Sequence, residues 1–533
     1  MNIKSLMGFC IVALLSVMPW LAEAVSGTLT KANAAEVLPA VYQLFLFAGE
    51  NQIIIKEHAD LKFDDYPDNC LECHQKEAEE ISQSTHYQWE GQAPDMVNGT
   101  GILQGKLNNA VNSYCVHILG NWPVCGGCHA GRGKRPDDPE ADQRNIDCLV
   151  CHSVAYAEAR TRLDDGSIGV EHPTDEMVRA AGRPARANCL KCHAYAGGGN
   201  GVKRGDLSYE LVDNTSARFD VHMNMNGTNL SCQRCHDFQA HRVIGKGSDI
   251  RPTDDPARGA EVSCTTCHAE MADTGHERDT INTHTARVAC QSCHIPIYAK
   301  VPTETDRDWR THHDGTDATT CSDGTPCPGH PLTMKAENLV PAYKWWDRRS
   351  DNVLLYDDAS RTYDTALNTY PTSRPLGDVT EGKLYPFKYK TASQPITSDD
   401  QRLIALDTYV YLMGNGNVTE AVTSGLANMG YAVNEPYEWI TTDTYQLLNH
   451  GVEPSARALS CSACHDNTNR MDLQGELGYG LNDDQAAVCT QCHEYEEPEE
   501  EGYEWIHEEH VAEGGYDCSW CHRFSRPERG LQM

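Results

Sequence analysis

Apolar positions are concentrated at the start of this chain and scattered thereafter. Behind Lys4 an apolar run extends to Leu21 and closes on Ala22-Glu23-Ala24, the small-x-small pattern of a cleaved export signal over residues 1–24. No later segment sustains about 18 uninterrupted apolar residues, so no transmembrane helix is expected. The stretch EVLPAVYQLFLFAGENQIII (36–55) reads as an N-terminal segment packed on its own domain; packing against a second copy, as in a homo-oligomer or filament, is the alternative. A different periodicity dominates the rest. Cysteine and histidine recur as C-x-x-C-H, and positions i, i+3 and i+4 share one face of a helical turn.

That pattern occurs ten times: at Cys70/Cys73/His74, Cys125/Cys128/His129, Cys148/Cys151/His152, Cys189/Cys192/His193, Cys232/Cys235/His236, Cys264/Cys267/His268, Cys290/Cys293/His294, Cys461/Cys464/His465, Cys489/Cys492/His493 and Cys518/Cys521/His522. Zinc clusters or disulfides would not need histidine directly after the second cysteine, whereas covalent haem does: the thiols become thioethers and the imidazole binds the iron. Twenty of 24 cysteines are used in this way, so ten covalently attached haem c groups are expected. Only 40% of the 533 residues are hydrophobic and only eight are Phe, a poor supply for a side-chain core of this size. Haem plates would replace much of it. The expected fold is mainly α with much irregular structure, a multihaem cytochrome c organised around a packed haem array.

Motif spacing divides the chain further. A haem-free segment (25–69) precedes seven motifs in 70–294, a motif-free insertion follows over 295–460, and three motifs close the chain in 461–533. The insertion, with YKWWDRRSDNVLLYDD and YPFKYKT, reads as coil and short helices laid over the array, with short strands as an option. Its loop THHDGTDATTCSDGTPCPGH places Cys321 and Cys327 close enough to pair as a disulfide in an oxidising compartment. Metal binding with His312, His313 or His330 is the other reading.

The net charge of −33 argues against nucleic acid or an anionic membrane as partner and fits either solubility or steering of a basic redox protein. Fourteen histidines lie outside the motifs and are candidates for the sixth position of each iron. We single out His86, His222, His241, His276, His284, His450, His507 and His510 as distal ligands. The last two lie in WIHEEH, where an i, i+3 spacing does not fit the i, i+4 histidines of a zinc protease helix.

Between the motifs, STHYQWEG, NWPVCGGCHAG, NIDCLVCH, NCLKCHAYAGGGNGVKRGDL, DVHM, CQSCHIP, YKWWDRRSDN, YPFKYKT and CSACHDNTNRMDLQGELGYG make the chain resemble the octahaem tetrathionate reductase family over roughly residues 70–480. The resemblance implies eight closely packed haems, seven held by two histidines and one by a lysine with a cysteine beside it. Lys203 matches the lysine and Cys115 the cysteine, making them the candidate catalytic residues. Arg204 stands where the pattern leads one to expect histidine, and the motifs at Cys489/Cys492 and Cys518/Cys521 exceed the eight-haem pattern. Proximity of Cys115 favours Cys125/Cys128/His129 as the active-site haem. The expected function is that of an exported, periplasmic or extracellular, reductase of tetrathionate, or of nitrite or hydroxylamine, supplied by redox proteins or a quinol-linked donor. The alternative is a non-catalytic conduit with every iron closed by two ligands.

Overall fold

Among the described residues the motif-free insertion builds the largest regular element, a mixed seven-stranded sheet. The structure is a computed structural model and describes residues 58–99, 101–245, 247–249, 251–312, 330–377, 382–414, 416–483, 485–493, 503–517 and 520–524. The export signal, the 36–55 stretch and the Cys321/Cys327 loop lie outside them. We number the strands of the sheet β1 (Thr303–His312), β2 (Pro331–Ala336), β3 (Ala342–Trp346), β4 (Ser350–Asn352), β5 (Tyr370–Pro375), β6 (Lys383–Thr397) and β7 (Tyr437–Leu447). Their order is β4-β5-β7-β6-β1-β2, with β3 paired on the free end of β6. Strand β6 is the spine: it runs antiparallel to β7 from Phe387↔Leu447 to Thr397↔Tyr437 and parallel to β1 at Thr391↔Asp306.

Of the elements expected in the insertion, the strands offered as an option prevail over coil and short helices and join into one sheet, so helix does not clearly dominate the fold. The cause lies in the two-residue period of YPFKYKT. Tyr385, Phe387 and Tyr389 share one face of β6, where they pack on Trp346 and Tyr445. Lys388 and Lys390 share the other, and both are fully buried. A strand covered on both faces shows no clean polar side, and its lysines disguise it as surface. Among the described residues the longest helix, Val418–Asn428, has only 11 residues. It is capped by Asn417, whose side chain accepts from the Glu420 amide at 3.2 Å. It packs Ala421, Val422 and Leu426 against Trp309, Ile396 and Ile404. Gly425 allows that approach, since a Cβ there would come within 2.4 Å of the Ala405 carbonyl oxygen.

Around the sheet, the C-x-x-C-H segments form short helical turns. The His amide bonds back to the first Cys carbonyl at 2.9 Å for His74, His236 and His268, which closes the turn and puts both sulfurs and the ring on one side. Residues 55–533 form one compact unit. Among the described residues no helix is long and apolar enough to cross a membrane.

Inside the sheet, β7 buries a carboxyl group completely. Asp443 Oδ2 accepts from Thr369 Oγ1 at 2.8 Å and Tyr389 Oη at 3.0 Å, while Oδ1 has no partner. Burial raises its pKa to about 6, against the opposing effect of those two bonds. The folded protein therefore retains this proton to higher pH than the unfolded chain does, and stability falls as pH rises from about 4 through 6, on the order of 2–3 kcal/mol in all. Asp443→Asn should remove that component. Melting curves of both proteins at pH 4 and pH 7 test it, and an identical pH dependence would count against the assignment.

Candidate active site

Two imidazoles bound to one metal from opposite sides, each with its nitrogen at about 2.0 Å, place their ring centres roughly 6 Å apart. The structure contains that arrangement repeatedly. Ring centres lie 6.4 Å apart for His58–His74, 6.1 Å for His86–His193, 6.4 Å for His152–His241, 6.3 Å for His222–His268, 6.2 Å for His236–His450 and 6.3 Å for His284–His465. In each pair one histidine belongs to a motif and the other comes from elsewhere in the chain. In the C-terminal region His507 faces His522 at 6.1 Å and His510 faces His493 at 5.7 Å. His522 differs from the rest in that its Nε2 is also 2.7 Å from the Tyr479 hydroxyl. His276 is an electrostatic neighbour of His294.

The rings are aimed from behind. Nδ1 of His152 lies 2.7 Å from the Gly182 carbonyl, that of His236 3.0 Å from Ile244 O, and that of His284 2.6 Å from Thr280 O. His241 and His450 use carboxylates, Glu80 and Asp206, each at 3.0 Å. An Nδ1 so engaged leaves Nε2 to the metal, fixes the tautomer and makes the ring a stronger donor. Arg204 serves this shell: it pairs with Asp206 through two bonds of 3.1 Å. Burial acts against the Asp206 carboxylate, yet Arg204 and His450 hold its pKa well below the usual range. Residues of every motif and these rings line one continuous cavity of about 4830 Å³. Paired rings at metal-bridging separation around a largely apolar slot fit haem.

Sulfurs link the motifs in space. Cys70 meets Cys148, Cys128 meets Cys192, Cys189 meets Cys232, and Cys264 meets Cys290. Cys235 neighbours Cys267, Cys293 neighbours Cys464, and His465 neighbours both His507 and His522. The motif of Cys125 and Cys128 hangs off this file as a branch at Cys192.

That branch departs from the others. The His129 amide bonds to Gly126 O at 3.1 Å, the residue is extended (φ −71°, ψ 144°), and its ring turns into a box of Tyr87, Trp89 and Trp122. Its Nε2 lies 2.5 Å from the Tyr87 carbonyl, and among the described residues no second histidine ring faces it. Burial lowers its pKa to about 4, so the ring is neutral. The motif histidine expected to bind iron thus points elsewhere. The box depends on Gly131, where a Cβ would fall 2.5 Å from His129 Nδ1.

Lys203 and Cys115 both line this cavity, and Lys203 Nζ lies 5.6 Å from the ring centre of Tyr114, the residue before Cys115. Cys115 is an electrostatic neighbour of Cys125 and of Arg307. Lys203 is buried with Nζ 3.0 Å from Asp249 Oδ2. Burial lowers its pKa while Asp249 opposes the shift. The neutral amine favoured by burial is the form that can bind a metal. Tyr114 Oη, next in sequence to Cys115, donates to the Lys203 carbonyl at 3.2 Å. His117 and His330 line the cavity too, each with its pKa lowered to about 4 by burial. Four of these, His58, Asp249, Arg307 and His117, carry no signal in the sequence that separates them from ordinary polar residues.

Comparison with known proteins follows the same lines. The family model "Cytochrome c bacterial" matches residues 305–468. The crystal structure of octahaem cytochrome c from Shewanella oneidensis superposes with a TM-score of 0.64 at 27% identity, covering 79% of this chain and 96% of that one. A protein of Archaeoglobus fulgidus, described as uncharacterized, is 28% identical over 36% of this chain and 79% of its own.

His58→Ala should convert one low-spin haem signal to high-spin and leave the remainder intact, because His58 faces only His74. Electron paramagnetic resonance of the oxidised protein decides this, and an unchanged spectrum would remove His58 from the ligand set.

Proposed function

Because the chain is a multihaem c-type cytochrome related to octahaem cytochrome c, we propose that it is an exported ten-haem reductase of tetrathionate, or of nitrite or hydroxylamine, with its active site at Lys203 and Cys115. One observation carries the reading. Lys203 Nζ and the Arg307 guanidinium both lie over the Tyr114 ring, 5.6 and 5.7 Å from its centre, and Cys115, next in sequence, neighbours Cys125 in the one motif whose own histidine is turned into an aromatic box. When bound there, haem would supply electrons and an iron whose amine ligand exchanges more readily than a locked imidazole.

The chain's own residues supply the rest. Arg307 lies beside Cys115 with its charge secured: burial acts against it, but Glu304 and then Cys115 hold its pKa above the ordinary value. An anionic substrate and a thiolate both gain from that neighbour. For tetrathionate, the Cys115 thiolate attacks the central S–S bond, forming a Cys–S–S–SO₃⁻ adduct and releasing one thiosulfate. Two electrons then break the new S–S bond, restoring the thiolate and releasing the second thiosulfate. The file of neighbouring motifs from Cys70 to the C-terminal pair offers a route for those electrons, with entry from a redox protein or a quinol-linked donor. The net charge of −33 favours a basic protein. A purely conductive role is less favoured, since a conduit does not need a thiol and a buried amine at the motif that lacks a facing histidine.

Cys115→Ala and Lys203→Met should each lower kcat for the physiological substrate by about 10²-fold, with the bis-histidine signals retained. Viologen-coupled reduction of tetrathionate, nitrite and hydroxylamine tests this. Equal turnover by wild type and both variants would sink the assigned site.

A further inference from the structure

The inner face of β6 carries two lysines where a sheet covered on both sides ordinarily carries aliphatic residues. Lys388 and Lys390 are each 0% exposed, and apolar replacements of similar volume would spare the desolvation of two amines. Their contacts are specific. Lys388 Nζ donates to the carbonyls of Val202 at 2.8 Å and Lys203 at 3.0 Å, and to Thr303 Oγ1 at 2.6 Å. Thr303 Oγ1 in turn donates to Gly201 O at 2.7 Å. Two positions along the strand, Lys390 Nζ donates to Ser113 O at 2.9 Å, and Gln394 Nε2 reaches Asn112 O at 3.2 Å. Arg307 on β1 spans both loops, from Tyr114 O at 2.8 Å to Gly197 O at 3.0 Å. Glu304, fully buried, pairs with Lys390 at 3.2 Å and with Arg307 at 2.5 Å.

The loop that Lys390 grips is under strain. Val116, directly after Cys115, has φ +53°, a left-handed conformation that β-branched residues avoid. Its carbonyl, which accepts from the Asn112 amide at 2.9 Å, and its fully buried side chain against Trp309 and Ile396 hold it there. The Cys115 amide is tied to Asn112 Oδ1 at 3.0 Å. Neither loop has regular structure of its own, so their carbonyls are set by side chains reaching from the sheet.

We propose that Lys388 and Lys390 are separate positioning residues, Lys388 fixing the loop that presents the Lys203 amine and Lys390 the loop that presents the Cys115 thiol, with Arg307 tying the two loops together. The inference rests on the roles of Lys203 and Cys115 proposed above. It assigns the sheet a duty at the active site: two neighbouring inward positions of one strand hold the two reactive groups in register.

The test compares Lys388→Met and Lys390→Met in the haem-loaded protein by two readouts. The first is the lysine-ligated haem signal, defined as the one lost in Lys203→Met. The second is the iodoacetamide alkylation rate that is lost in Cys115→Ala. Lys388→Met should abolish or shift the first and leave the second within about twofold; Lys390→Met should change the second by about tenfold or more and leave the first in place. Both variants should lower kcat more than they raise KM. Unchanged bis-histidine signals control for folding. Should either variant fail to assemble, Thr303→Val replaces the first and Gln394→Leu the second, with the same expectations. Variants that move both readouts together, or neither, overturn the proposal. A wild type with no signal that Lys203→Met removes would instead refute the role of Lys203, and the alkylation readout would still decide that of Lys390.

Discussion

The haem array depends on one geometric constraint, the facing of histidine rings in pairs at 6.1–6.4 Å, a separation at which a single iron could be held between them. A motif delivers one ring and two sulfurs together, through five consecutive residues. The second ring must come from elsewhere, and it comes from far along the chain: His450 reaches His236, His241 reaches His152, and His284 reaches His465. These cross-connections do the work that hydrophobic contacts between long helices do in other proteins. Helices of four to eight residues therefore suffice around the array, because the rings they carry face partners across the slot.

The orienting shell behind the rings extends that logic. Carbonyls hold some Nδ1 atoms, and carboxylates hold those of His241 and His450. The carboxylate-backed rings are the stronger donors and favour the oxidised iron, so neighbouring haems would differ in potential through second partners alone. Arg204 belongs to this shell. It stands where a histidine was expected, and it anchors the Asp206 carboxylate that aims His450.

At the branch motif the requirement is relaxed. His129 packs among three aromatic rings, the Cys115 thiol neighbours Cys125, and a buried amine and a guanidinium lie over Tyr114, the residue before that thiol. Those groups belong to irregular loops, and irregular loops need external support to hold a reactive geometry. The sheet meets that need with Lys388, Lys390, Gln394 and Arg307, whose bonds end on loop carbonyls. Its outer aromatic face, Tyr385, Phe387 and Tyr389, anchors the same strand to its neighbours.

The sequence by itself determined the cofactor chemistry, because covalent attachment is local: two cysteines and a histidine within five residues carry their own meaning. It also supplied Lys203 and Cys115, though only through the resemblance of the segments around them. Which histidine faces which motif was decided by tertiary structure alone, since the facing rings are separated by up to 214 positions, as in His236 and His450. His58, one of the fourteen candidates, was not singled out for that reason. The sheet was hidden by its own lysines: in YPFKYKT an alternation of aromatic and charged residues reads as a half-exposed segment, and only the fold shows that the charged side also faces inward. His129 is the converse case. Its motif is identical to the other nine, and three aromatic neighbours from two segments of the chain decided where its ring would point.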